Sequence, residues 1–182
     1  MPALRSDAAR SRARILEVAR SHNTHTLRLN DVAREAGVGV GTVYRHFPTV
    51  HALIEALTVD TIERMVDVSR LAAAESDPGT AFALYLREAL ALQLEDGGLQ
   101  TVLLSPEDEE DDVRAAKIEI FQTFSEVLDR AKASGAVRNN VTIDQLSHLV
   151  CGIEHAVRLG SPNDRALLLD ILVAGLRPTG LE

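Results

Sequence analysis

Residues 29–47 read Leu29-Asn30-Asp31-Val32-Ala33-Arg34-Glu35-Ala36-Gly37-Val38-Gly39-Val40-Gly41-Thr42-Val43-Tyr44-Arg45-His46-Phe47. A short helix through Ala36 is expected to stop at Gly37, where a glycine can adopt the left-handed conformation that closes a helix. Gly39 can open the next one, since glycine is acceptable at an N-cap. Val32, Ala33, Ala36, Val38, Val43 and Phe47 would knit the two helices together. Thr42, Tyr44, Arg45 and His46 are left on the free side of the second helix. Two short helices joined by a tight glycine turn form a helix-turn-helix, whose second helix enters the DNA major groove with its first residues at base edges. Upstream, residues 7–22 suit an arginine-rich amphipathic helix with Ile15, Leu16, Val18 and Ala19 facing inward.

Charge separates this head from the rest of the chain. Residues 1–50 hold eight arginines against four acids (Asp7, Glu17, Asp31 and Glu35), and the remainder holds eleven Lys and Arg against twenty-three Asp and Glu. A basic head on an acidic body implies that residues 1–50 meet a polyanion while the body does something else. A constitutive architectural DNA binder would need basic charge beyond the head, which the acidic body denies. One cysteine, Cys151, excludes an internal disulfide framework. No apolar run approaches the ~18–20 residues needed to cross a bilayer, and the arginines of the first fourteen residues have no apolar stretch behind them. The expectation is a soluble cytoplasmic protein with no membrane partner and no targeting segment.

Beyond the head, Pro, Gly and Ser punctuate the chain at Ser76-Asp77-Pro78-Gly79, Gly97-Gly98, Ser105-Pro106, Ser134-Gly135 and Ser161-Pro162. Between these points apolar residues recur at intervals of three and four, with no strand-like alternation, so the fold class is all-α. The boundary is drawn at residue 50, giving an N-terminal three-helix domain over 1–50 and a helical domain over 51–182. Ser105-Pro106-Glu107-Asp108 and Ser161-Pro162-Asn163-Asp164 each read as N-cap, first-position proline and acidic first turn. The six consecutive carboxylates from Glu107 to Asp112 point all round such a helix start and lack the glycine and alternating spacing of a calcium loop, so they read as a solvated helix start.

The stretch Ala36-Gly37-Val38-Gly39-Val40-Gly41-Thr42-Val43-Tyr44-Arg45-His46-Phe47-Pro48-Thr49 resembles the DNA-binding signature of TetR/AcrR-family transcriptional regulators. The resemblance runs from about Arg12 to Leu57, roughly a quarter of the chain, and its tyrosine–x–histidine–phenylalanine core is specific. Residues 58–182 match in layout only, with six or so helices of which the last two pair across a dimer. The resemblance implies a homodimeric regulator, most often a repressor, that leaves its pseudo-palindromic operator when a small molecule binds. It places Gly39 at the start of the reading helix and Val40 and Arg45 at bases, where valine suits a thymine methyl and arginine guanine O6 and N7. It places Thr42, Tyr44 and His46 at phosphates, which fix register rather than sequence. Thr49 would cap the fourth helix. The chain departs from the family at His22-Asn23, where an apolar Leu-Phe pair is usual, and in a shorter connection to Leu29. Arg28 stands where Ser or Thr usually caps, and Val50 where a basic phosphate contact is usual; Arg28 and His51 are expected to supply the missing phosphate contacts. His22 and His25 form an H-x-x-H spacing, which without a third ligand reads as two loop histidines.

In the body, Ile143, Leu146, Val150, Ile153 and Val157 repeat at three, four, three, four, the seam of a helix bundle. Leu167, Leu168, Ile171, Leu172 and Leu176 follow in the last helix. Periodicity alone leaves intrachain core and dimer interface open, because both bury an apolar stripe. The resemblance and the twofold symmetry of an operator favour the dimer, with Ile143, Leu146, Val150, Ile153, Val157, Leu168, Ile171 and Leu172 facing the partner. His148, Cys151 and His155 fall within about 60° of each other on the opposite face, expected to point into the subunit's own interior. They suit a metal, a ligand pocket or plain packing. Four of the six aromatics, Phe82, Tyr85, Phe121 and Phe124, lie on the inward stripes of two central helices. They read as core or as pocket wall, and the family layout puts the effector between these helices and the one ending in Met65 and Val66.

The leading reading is therefore a ligand-responsive, DNA-binding homodimer with no metal and no cofactor. The alternative is an enzyme-like protein that processes its ligand beneath a DNA-binding head. No nucleophile–base pair, phosphate-binding glycine loop or paired catalytic carboxylate stands out in its favour.

Overall fold

A computed structural model of the chain describes residues 2–24, 26–106, 108 and 110–178, leaving His25, Glu107 and Glu109 outside the description. Among the described residues there are nine helices and no strand. They are α1 (Pro2–Ala19), α2 (Leu29–Glu35), α3 (Val40–His46), α4 (Val50–Ala74), α5 (Pro78–Glu95), α6 (Gly97–Leu104), α7 (Asp111–Ala133), α8 (Ile143–Leu159) and α9 (Asp164–Gly175). The all-α reading stands. Two compact units divide the chain, and both take residues from more than one stretch of it. The first comprises Met1–Asp60 and Gly97–Arg114, so it extends past residue 50; the second comprises Thr61–Asp96 and Ala115–Glu182.

In the first unit, α1 packs on α2 and α3, and α2 on α3. Of the residues expected to knit the helix pair, Val32, Ala33, Ala36, Val43 and Phe47 are buried and Val38 is half-buried; of those expected to face inward on α1, Ile15, Leu16 and Ala19 are buried and Val18 is half-buried. Leu53, Leu99 and Val102 are buried in the same unit. α1 ends at Ala19, three residues before the expected His22, and its last carbonyls are closed by tight turns from Ser21 and His22.

The second unit is built around α5, α8 and α9, which pack on one another. Helix ends from α5 onward largely follow ordinary capping chemistry. Asp77 accepts from the Thr80 N–H at 2.7 Å with Pro78 in the first turn. Thr142 and Gln145 form a reciprocal capping box at 3.2 and 3.0 Å. Asp111 and Asp112 open α7, and Arg130 and Lys132 close it, each matching the helix dipole. Arg130 also donates to the carbonyls of Ala73 at 2.8 Å and Glu75 at 2.5 Å, satisfying groups at the end of α4.

Two expected helix starts are displaced. Ser105 does not open a helix: its N–H closes the end of α6 on the Val102 carbonyl, and α7 begins at Asp111. The intervening segment is held elsewhere, by the Glu110 N–H on Glu55 Oε2 at 3.2 Å and by Arg114, which donates to the Asp108 carbonyl at 2.8 Å. Before α9, the N–H of Asn163 donates to Ser161 Oγ and that of Ser161 to Asp164 Oδ2, both at 3.2 Å. These bonds make a turn of Ser161-Pro162, and the helix starts at Asp164.

The largest correction concerns α8. Leu146, Val150 and Val157, expected to face a partner, are buried in the chain's own core, with Ile143 and Ile153 half-buried. His148 and His155, expected inside, are exposed, and Cys151 is half-buried. The cause is that the strongest apolar seam closes on α5 and α9 of the same chain, where Leu169, Leu172 and Leu176 are also buried. The outward faces carry a weaker apolar pattern instead: Leu149 and Leu159 on α8, Leu167 and Ile171 on α9, with Leu159 77% and Ile171 59% exposed.

Candidate functional site

The left-handed backbone at Gly37 (φ 62°) sets the geometry of the first unit's exposed face. The Gly37 N–H donates to the Arg34 carbonyl at 3.2 Å and the Val38 N–H to the Ala33 carbonyl at 3.1 Å. This paired arrangement terminates α2 and turns the chain within three residues toward α3. Arg14 of α1 donates to the Ala36 carbonyl, fastening α1 to that turn. Arg12 lies over the Phe47 ring, 5.2 Å from its centroid, and His22 Nε2 lies 2.9 Å from Glu35 Oε2. Arginine spacing alone does not mark Arg12 and Arg14 as fasteners of the pair, because their partners, the Phe47 ring and the Ala36 carbonyl, lie more than twenty residues away in sequence.

With Val43 and Phe47 buried beneath it, α3 presents its other side to solvent. Val40 and Tyr44 are exposed, Tyr44 at 48%, and they share one face at a spacing of four. Arg45 is exposed and folds back along its own helix, donating from Nε to the Gly41 carbonyl at 3.0 Å and from Nη2 to Thr42 Oγ1 at 3.3 Å. Both are solvent-exposed bonds that a base edge or water can replace. A Cβ at Gly41 would meet nothing within 4 Å, so the backbone there is uncovered. Gly39 is the N-cap of α3, and Thr42 and His46 are half-buried.

An open cleft of about 560 Å³ brings Arg28, Tyr44 and Thr49 together, with Asn30, Pro48 and Val50 on its walls. Arg28 is the N-cap of α2 and makes no side-chain capping bond. Thr49 caps α4 by accepting the Ala52 N–H at 3.0 Å. His51 does not join this face. Its Nε2 is buried and lies 2.9 Å from Glu55 Oε1, because one helical turn places the ring over the Glu55 carboxylate.

In the second unit, Met65, Phe82, Tyr85 and Phe124 are buried and Phe121 is half-buried. Phe124 stacks on Tyr85, centroids 3.9 Å apart and 9° from parallel, and more distantly on Phe82 at 6.2 Å. Burial pushes the Tyr85 phenol well above the usual tyrosine range, so it stays neutral and able to donate. Exposed His148 takes no part in this cluster. Gln93, two turns along α5 from Tyr85, is a residue that apolar patterning passes over: its Oε1 is buried without a hydrogen-bond partner. A separate open pocket of about 660 Å³ lies at the start of α5, with Asp77, Thr80, Phe82, Val137 and Arg177 among its walls. Among the described residues, no helix is long and apolar enough to cross a membrane.

Comparison with known proteins agrees with this layout. Residues 13–57 match the profile of bacterial regulatory proteins of the tetR family, and residues 77–178 that of the SbtR-like transcriptional regulator C-terminal domain. A TetR transcriptional regulator from Streptomyces coelicolor is 32% identical, over 93% of this chain and 99% of that one, with a TM-score of 0.53. The transcriptional regulator FadR from Bacillus subtilis, solved in complex with stearoyl-CoA, shares the fold at 16% identity, over 92% and 98% of the two chains, with a TM-score of 0.54. A gamma-butyrolactone receptor (ArpA-like protein) does so at 19% identity, over 95% and 91%, with a TM-score of 0.58. The comparison with curated proteins gives no match.

The turn geometry makes a prediction that needs no DNA. A Cβ at Gly37 would sit 3.0 Å from Arg14 Nη2, the mobile end of a side chain, whereas one at Gly39 would meet only Thr42 Oγ1 at 3.7 Å. Gly37→Ala should cost about 1–2 kcal/mol in urea unfolding, the price of a left-handed alanine. Gly39→Ser, at an ordinary N-cap, should leave stability unchanged or raised. Equal effects of the two would show that the turn does not depend on its backbone sign.

Proposed function

The chain belongs to the TetR family of bacterial transcriptional regulators, and from that premise we propose that it is a homodimeric repressor released from its operator by a small-molecule effector. The observation that carries the reading is the exposed face of α3, with Val40, Tyr44 and Arg45 projecting from a helix seated on buried Val43 and Phe47. Arg45 reads a guanine through O6 and N7, and Val40 packs on a thymine methyl. Thr42, Tyr44 and His46 hold phosphates, joined by Arg28 and Thr49 from the adjoining cleft.

The dimer forms through the outward faces of α8 and α9 rather than through the buried seam. Leu149, Leu159, Leu167 and Ile171 are large apolar side chains left exposed on those faces. Gly152 lies between the two α8 leucines, and a Cβ there would meet no atom of another element within 4 Å, so it leaves room for a partner helix. Two copies related by a twofold axis present one α3 each, to operator half-sites a helical turn, about 34 Å, apart or a multiple of it.

The effector binds in the second unit, against the aromatic cluster of Phe82, Tyr85, Phe121 and Phe124 and near Met65. Apolar walls with few polar groups are the usual make-up of such sites, and the Tyr85 hydroxyl and Gln93 amide supply those groups here. Relatives of this fold include one solved with stearoyl-CoA and one described as a gamma-butyrolactone receptor, which supports a ligand of substantial apolar content. Release is a population shift: the effector favours a state whose two α3 helices no longer match their grooves. The ligand leaves unchanged, so purified protein should not turn it over.

Two measurements test the reading. Selection from random DNA should return a pseudo-palindrome, and Arg45→Ala should lose about 1–3 kcal/mol of affinity together with preference at one position in each half-site. Thr42→Ala and Tyr44→Phe should weaken all sequences evenly. An unchanged motif in Arg45→Ala would remove Arg45 as a base reader. For assembly, Ile171→Asp or Leu159→Asp should sediment as a folded monomer with weak operator binding, whereas Val150→Asp, with its side chain in the chain's own core, should unfold. A folded Val150→Asp monomer beside a dimeric Ile171→Asp would return the interface to the seam.

A further inference from the structure

We propose that the effector carries an uncharged hydrogen-bond donor, a hydroxyl or an amide N–H, on an apolar frame, and that the side-chain carbonyl of Gln93 on α5 selects for it. This rests on the second-unit effector site proposed above, of which Gln93 is a polar group. Gln93 is 9% exposed, and its Oε1 is buried without a hydrogen-bond partner. At 100° per residue it projects within about 20° of both Phe82 and Leu86, in the middle of the inward stripe of α5. Phe82, Leu86, Ala89 and Leu90 make the rest of that stripe apolar, and all four are buried.

An amide carbonyl held away from water without a donor lowers stability, and a leucine at the same position would avoid that loss. Native cores leave few such groups unsatisfied, and the ones they keep concentrate where stability is given up for function. The donor that reaches Gln93 from α8 is committed elsewhere. Arg158 donates from Nη2 to the main-chain carbonyls of Gln93 at 2.9 Å and Leu94 at 3.4 Å, and from Nε to the buried Glu154 carboxylate. The side-chain oxygen of Gln93 is left for a donor that a ligand brings.

The charges on these helices decide against an ionised ligand. A cationic head would need a carboxylate, and Glu154 is already paired with Arg158. An anionic head would need a cation, and Lys117, buried on the α7 stripe that carries Phe124, already has an interaction partner. Burying a charge without a counter-charge costs far more than one hydrogen bond returns. A hydroxyl or an amide N–H satisfies Oε1 without that cost. Phe124 stacked on Tyr85, with Phe82 beyond, offers apolar contact to the rest of the molecule.

The test is calorimetric titration of the full chain with three probes of nearly equal size. They are 1-octanol, 1-methoxyheptane, which lacks a donor, and sodium octanoate, which is ionised at neutral pH. 1-Octanol should bind at least about tenfold more tightly than either of the others, since a buried acceptor rejects a partner that cannot donate. Gln93→Leu should abolish the preference for alcohol over ether. Without ligand this variant should melt no lower than the wild type, because it replaces an unpaired buried amide with an apolar side chain of similar size. Equal binding of alcohol and ether by the wild type, tightest binding of octanoate, or an alcohol preference that survives Gln93→Leu would each overturn the proposal and leave the aromatic cluster as an effector site. A Gln93→Leu chain that melts several degrees lower would make the glutamine a structural group and overturn the proposal as well. No saturable binding of any probe would remove the effector site itself, and the proposal with it.

Discussion

The DNA-facing side of this protein depends on one backbone conformation, the left-handed Gly37 between α2 and α3. At that residue the chain must reverse direction within three residues while α2 keeps its last carbonyls satisfied. The paired bonds from Gly37 and Val38 meet both requirements, and Arg14 fixes the same turn from α1. Once the turn is set, Val43 and Phe47 go into the shared core, and the helical repeat leaves Val40, Tyr44 and Arg45 outward. The exposed face of α3 is thus a consequence of what the opposite face must bury.

The sequence made this head legible because every signal in it is local. A glycine between two short apolar-periodic segments and a basic charge balance confined to fifty residues belong to stretches shorter than the unit they define. Thr49 is a further example, since an N-cap is decided by residues three apart, and its bond to the Ala52 N–H is present. Ser105 and Ser161 carry the same kind of signal and do not start helices. Glu55, 55 residues away in sequence, holds Glu110, and Asp164 draws the Ser161 N–H into a turn. A capping pattern states what a segment prefers, and a distant partner can override it.

The body was legible in class and not in orientation. The three-four repeat from Ile143 to Val157 is real, but an apolar stripe does not carry the identity of what covers it. In this chain the stripe closes on α5 and α9, and the less regular face of Leu149, Gly152 and Leu159 remains outside. His148 and Cys151 were misplaced for the same reason, since their side of the helix was inferred from the seam. His51 is a different case. Its position in the chain suits a phosphate contact, and only the burial of Glu55 one turn on explains why its Nε2 turns inward.

The proposed function requires α3 to read bases in the major groove, twice, about a twofold axis. Methylation interference on the DNA that the protein selects tests this most directly, because dimethyl sulfate marks guanine N7 in the major groove and adenine N3 in the minor groove. Interference is expected at guanine N7 in two dyad-related clusters, centred about 10 base pairs or a multiple of that apart, with none from adenine N3. Interference dominated by adenine N3, or a single undivided cluster, would contradict it.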